Sequence, residues 1–278
     1  MKKIPATDFD LALTLASGQA FHWVADRSAG GNGYLGVIGE QPVRLEQKGD
    51  LLVFATPGRE APIRNYFALD HPMAEIYASF PDDPILQEAC RGCRGMRILR
   101  QPKWECLATF ITSSMKQVTH ISQMSHAIRG KFGSPVSFGE DLLYAYPSPE
   151  RLAAATEEEL RDCKLGYRAK NLLGTARMIA EGIVDLEAIA NMDDDAARAE
   201  LCRLPGVGEK VANCALLFAY ERLRSFPIDV WIERVLRERY FSRKRKVTVK
   251  RLKDFCADHF GPYGGYAQQY LFHHARTS

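Results

Sequence analysis

Lys210 and Asp229 are the residues of this 278-residue chain whose setting best suits covalent chemistry. Lys210 comes just after Leu204-Pro-Gly-Val-Gly208. A helix is expected to end near Arg203, because Pro205 cannot continue it, and a second to begin near Glu209. Gly206 and Gly208, flanking Val207, let backbone approach a phosphate, and the N–H groups of the new helix point outward at its positive dipole end. Such a hairpin grips phosphate without reading base sequence. The same positive field disfavours an ammonium at Lys210 and favours a neutral amine, which is a nucleophile. Pro227-Ile-Asp229 comes nineteen residues later, directly before another apolar-periodic helix, where Asp229 is placed to cap with an ionised carboxylate. Plainer readings of the same residues are an ordinary turn between helices, a solvent-facing lysine and a capping aspartate.

The elements that must position these residues fall into two groups. Tyr34–Ile38, Val43–Gln47 and Leu51–Ala55 alternate as short strands, with turns at 30–33, 39–42 and 48–50. Helical patterns start at Ala61–Phe67 and Met73–Phe80. From about residue 99 the pattern is almost purely helical: 105–114, 118–132, 149–162, 169–181, 193–203, 209–220, 230–240, 249–259 and 265–273. The expected fold class is α+β, with an N-terminal antiparallel sheet domain over 1–98 packed on a larger all-helical domain over 99–278.

Composition narrows the function classes. Hydrophobic residues make up 46% and charged residues 26%, so the chain as a whole is not disordered. No stretch reaches the roughly 20 apolar residues of a membrane helix. Lys2 and Lys3 are followed by Pro5, Asp8 and Asp10 with no apolar run, so no signal peptide and a cytoplasmic, prokaryotic setting are expected. Seven cysteines without a secretion signal read as reduced thiols. Cys90 and Cys93 form one CxxC with no partner pair at zinc spacing and no four-cysteine run, so no metal site is expected. Arg222–Lys253 holds twelve Lys and Arg against three acids, leaving the rest of the chain acidic within a net charge of +3. A basic strip of this kind suits a polyanion, nucleic acid first. Its Ser242–Lys246 part equally suits an exposed loop.

Hairpin, lysine and the Pro-x-Asp spacing resemble the helix-hairpin-helix (HhH-GPD) base-excision DNA glycosylases, and within them the 8-oxoguanine DNA glycosylase/AP lyases. Ser17-Gly-Gln-Ala-Phe-His-Trp23, Leu99-Arg-Gln-Pro-Lys-Trp-Glu105, Leu165-Gly-Tyr-Arg-Ala-Lys170 and Gly261-Pro-Tyr-Gly-Gly-Tyr-Ala-Gln268 resemble further family elements in the same order. The resemblance implies that Lys210 attacks the sugar of a damaged nucleotide extruded from double-stranded DNA, with Asp229 stabilising the charge at C1′. It implies a base pocket made by Gly18, Cys214, Gln268 and Phe272, and no cofactor. It places Gly206, Val207, Gly208, Tyr167, Arg168, Met115, His120 and Trp231 against DNA, and the protein as a monomer. Met115 and His120 stand where eukaryotic members have Asn and Arg, so a relaxed preference for the base opposite the lesion is expected; Trp231 stands at a phosphate contact where the family often has His. Without the resemblance, Phe272 and Cys214 would read as core, Gly18 as a turn and His120 as a helix residue. Two alternatives stand beside the main reading: a sister glycosylase for other oxidised or alkylated bases, and a non-catalytic DNA-binding module.

Overall fold

The computed structural model describes residues 1–26, 33–241 and 247–277. Strands β1 (Lys2–Pro5), β2 (Val24–Asp26), β3 (Gly33–Ile38), β4 (Gln41–Lys48) and β5 (Leu51–Ala55) form an antiparallel sheet in the order β1-β5-β4-β3-β2. Ile38 pairs with Gln41 and Lys48 with Leu51, so Gly39-Glu40 and Gly49-Asp50 are two-residue hairpin turns. Val43, Leu45, Leu52 and Phe54 bury one face against Leu11 and Leu15 of helix α1 (Leu11–Ala16) and Ile63 and Tyr66 of α2 (Ala61–Tyr66). The three expected strands are the centre of this sheet. The edge strands carry little apolar signal; in β1 only Ile4 is buried. The expected turn at 30–33 lies largely outside the described residues, as does the Ser242–Lys246 loop.

The remaining elements are helices α3 (Met73–Ala78), α4 (Pro84–Gly92), α5 (Lys103–Thr112) and α6 (Val118–Phe132), a hairpin of β6 (Pro135–Phe138) and β7 (Asp141–Tyr144), and helices α7 (Pro149–Ala153), α8 (Glu157–Leu160), α9 (Arg168–Ala180), α10 (Asp194–Cys202), α11 (Glu209–Ala219), α12 (Val230–Val235), α13 (Val249–Phe260) and α14 (Gly264–Thr277). The hairpin corrects the purely helical expectation: its alternation is only four residues per strand, too short to stand out from the sequence. The expected helix over 149–162 divides because Thr156 and Glu159 form a capping box that starts α8 afresh. The expected helix over 230–240 is regular only to Val235 and then widens into a π-turn over Leu236–Tyr240.

The molecule is an α+β fold with an antiparallel sheet packed on a larger helical body. A second apolar core fills that body, with Leu107 and Ile111 of α5, Leu172 of α9, Ala215 and Leu216 of α11, and Tyr266 and Tyr270 of α14. Ile76 of α3 and Leu86 of α4 join this helical core rather than the sheet's. The segment 93–102 between α4 and α5 is pinned by Arg97, whose guanidinium donates to the carbonyls of His71 (3.1 Å), Thr7 (3.0 Å) and Asp8 (3.1 Å). His22 adds a buried bridge, Nδ1 lying 3.2 Å from Glu105, which is also paired with Arg129.

Candidate active site

The hairpin forms between α10 and α11. Val207 is buried in the helical core and anchors the turn, while Gly206 and Gly208 stay exposed on either side of it. Gly206 has φ +80°, and a Cβ there would come within 2.7 Å of the Asn171 side chain, so only glycine fits. Gly208 caps α11 in an extended conformation with open space where a side chain would project. Thr175 Oγ1 donates to the Pro205 carbonyl at 2.9 Å and ties the turn to α9.

Lys210 projects from the first turn of α11, half-buried. Its Nζ lies 5.2 Å from the centre of the Phe110 ring and donates to Ser113 Oγ at 3.4 Å. Phe110 is itself stacked on Phe218 at 5.4 Å, so the amine rests on a fixed aromatic face. Asp229 is the N-cap of α12, its Oδ1 accepting from the Ile232 N–H at 2.8 Å. That bond fixes the carboxylate at the chamber it shares with Lys210.

The chamber, about 30 Å³, is lined by Gly18, Phe110, Lys210, Cys214, Asp229, Gln268 and Phe272 among others. It opens to a cleft of about 890 Å³ lined by Lys210, Asp229, Met115, Trp231, Phe272 and Arg276 among others. The structure thus brings all six expected catalytic and base-pocket residues into one space. Burial pushes the Cys214 thiol up; the Lys210 charge opposes this and the Asp229 charge adds to it, so the sulfur stays a neutral thiol. Gln268 is buried, and its Oε1 has no hydrogen-bond partner among the described residues. A buried acceptor left open in a chamber suits a ligand N–H.

Gly18 (φ +85°) comes from the sheet domain and is held from both sides. Gln19, fully buried, donates to the Arg97 carbonyl at 2.8 Å and accepts from the Leu99 N–H at 2.9 Å. Gln269 on α14 donates to the Ser17 carbonyl at 2.8 Å. Sequence reasoning gave no role to Gln19, Gln269, Ser113 or Phe110. Gln19 sits inside the quoted Ser17–Trp23 element and was the one legible signal; the others act through tertiary contacts that no local pattern announces.

Residues 109–258 match the HhH-GPD superfamily of base excision DNA repair proteins, and residues 2–107 match the 8-oxoguanine DNA glycosylase N-terminal domain. The chain belongs to this family. It is 30% identical to a probable N-glycosylase/DNA lyase of Methanothermobacter thermautotrophicus over 99% of this chain and 96% of that one. It is 31% identical to the N-glycosylase/DNA lyase OGG1 of Arabidopsis thaliana, covering 97% of this chain and 78% of that one. Among solved structures, the Clostridium acetobutylicum 8-oxoguanine glycosylase/lyase in complex with DNA containing cytosine opposite 8-oxoguanine superposes with a TM-score of 0.90, at 30% identity, over 99% of this chain and 98% of that chain.

The side chains expected against DNA stand around the cleft mouth and on the helices beside it. Met115 is 91% exposed on a left-handed backbone (φ +54°), projecting from the turn after α5. Tyr167 is exposed at the start of α9, while Arg168 is buried. The Arg168 guanidinium stacks on the Tyr167 ring at 4.4 Å and donates to the carbonyls of Ser114 and Leu165. In this structure Arg168 therefore braces the Met115 turn. His120 is exposed on α6, and Trp231 is exposed at the α12 start with the Arg234 guanidinium 5.5 Å from its ring. Five of the strip's eight described cations are paired in place. Arg222, Arg237, Arg239, Lys250 and Lys253 pair with Asp194, Glu233, Glu88, Asp254 and Glu209, three of which lie far outside the strip in sequence.

Proposed function

We propose that this chain excises 8-oxoguanine from duplex DNA and nicks the resulting site. The observation that carries the reading is one chamber holding an amine, a carboxylate and a buried amide oxygen without a partner among the described residues: Lys210, Asp229 and Gln268. The Lys210 amine attacks C1′ as the glycosidic bond breaks, and the base leaves with the bonding electrons and takes up a proton. Asp229 stabilises the cationic charge that develops at C1′. The amine–sugar adduct opens to a Schiff base, and loss of a C2′ proton eliminates the 3′ phosphate. Phe272 and Cys214 flank the extruded purine, Gln268 reads its Watson–Crick edge, and the Gly18 carbonyl accepts from the N7–H that guanine lacks.

Gly206, Val207 and Gly208 hold backbone phosphate, and Met115 and Tyr167 fill the gap left in the stack. Trp231 offers one indole N–H to phosphate. His120 in place of a guanidinium, and Arg168 engaged with carbonyls, remove bidentate reading of the opposite base. The chain acts as a monomer where chromosomal DNA lies, in a prokaryotic cytoplasm. Residues 1–98 and 99–278 are its two units, with α3 and α4 of the first buried against the second. Single-turnover excision from duplexes holding 8-oxoguanine opposite each base, beside duplexes holding an alkylated purine, tests the reading. The expected result is 8-oxoguanine release varying less than about tenfold with the opposite base, since no bidentate pair worth ~1–3 kcal/mol is available. Release of the alkylated purine alone would overturn it in favour of the sister activity.

A further inference from the structure

Gln268, Phe272 and Arg276 stand four residues apart on α14, so they form one stripe along the helix. The first two belong to the base pocket; Arg276 continues the stripe into the cleft. Its guanidinium carbon lies 5.2 Å from the centre of the Phe272 ring. Nη2 donates to the Ala16 carbonyl at 2.7 Å, which fixes the side chain against the loop that carries Gly18. Nη1 is buried and has no hydrogen-bond partner among the described residues. It lies directly over Gly18: a Cβ on that residue would be 2.8 Å from Nη1. A guanidinium N–H left open beside a base-reading backbone is costly unless a ligand acceptor completes it.

8-Oxoguanine carries such an acceptor next to the atom assigned to Gly18. Its N7–H and C8 carbonyl are adjacent on the five-membered ring, so a base that places N7–H against Gly18 brings O8 to the same edge. Guanine has a C8–H there, which cannot accept. We propose that Arg276 is a specificity-determining residue, its Nη1 donating a hydrogen bond to the C8 carbonyl oxygen of the extruded base. The damaged base is then read at both atoms that distinguish it from guanine, one by an acceptor and one by a donor. This rests on the 8-oxoguanine reading above.

The test compares wild type, Arg276→Met and Arg276→Lys in two reactions: single-turnover excision of 8-oxoguanine, and borohydride trapping on a preformed abasic site, which has no base to read. The abasic reaction also reports that each variant is folded. The ratio of excision to trapping is expected to fall about 10- to 100-fold in Arg276→Met, the effect of losing one charge-assisted hydrogen bond, and less in Arg276→Lys, which keeps a donor. An unchanged ratio in Arg276→Met would overturn the proposal, as would equal losses in both reactions, which would mark a role outside base reading, and so would an Arg276→Lys ratio as low as that of Arg276→Met. A wild type that traps on abasic sites yet leaves 8-oxoguanine in place would show the 8-oxoguanine reading itself to be wrong, and the proposal with it.

Discussion

Asp229 carries two duties that a single substitution can separate. It caps α12 and it faces the chamber with Lys210. Asn caps about as well as Asp but has no charge to offer an oxocarbenium-like centre. Asp229→Asn is therefore expected to lower single-turnover excision by about 100-fold, the typical cost of losing one preorganised electrostatic group, while melting within roughly 0.5 kcal/mol of wild type. A large stability loss with proportionate activity would mean that Asp229 is a cap only. Lys210, Asp229 and the hairpin were legible because proline, glycine and a capping carboxylate constrain backbone locally, and that constraint survives in the sequence. Gln269 and Arg168 were not legible in their observed roles. Each acts on a carbonyl more than fifty residues away, Ser17 and Ser114.

At the scale of the element, the hairpin separates folding from binding at its two glycines. Gly206→Ala forces a side chain into left-handed backbone and into Asn171, so it is expected to cost about 1–3 kcal/mol of stability, read from a thermal melt. Gly208→Ala meets open space at φ −97° and is expected to leave the melt nearly unchanged. A phosphate seated on that face would meet the added methyl, so Gly208→Ala should weaken DNA affinity without loosening the fold. Unchanged affinity would move the phosphate elsewhere. The central strands and the long helices were readable from alternation and apolar period. The β6–β7 hairpin, the α7–α8 break and the π-turn after Val235 were not, because four-residue patterns and local capping do not rise above the surrounding helical signal.

For the whole molecule, the sheet domain supplies Gly18 and the helical body supplies the amine, so the junction must hold. His22 lies at that junction, and burial holds its pKa well below 6.5, with the Arg129 and His126 charges adding. His71, His126 and His273 are lowered in the same sense by burial. These rings are neutral when folded, so the unfolded chain takes up protons first. Their contribution is complete above about pH 6.5 and is lost as pH falls toward the folded values. Tm is expected to drop between pH 7 and pH 5; a flat profile would place these rings in water. The sequence strip of positive charge overstated the free charge, because Asp194, Glu88 and Glu209 arrive from other elements to neutralise it. The logarithm of DNA affinity should still fall linearly with the logarithm of salt concentration. A slope near zero would remove phosphate as the main contact.

The most direct measurement is borohydride trapping of the wild type and of Lys210→Gln on duplexes holding one 8-oxoguanine. A covalent protein–DNA adduct with the wild type, lost in Lys210→Gln while that variant still binds the duplex, is the predicted result. An adduct that persists in Lys210→Gln, or tight binding by the wild type with no adduct at all, would contradict catalysis through the Lys210 amine.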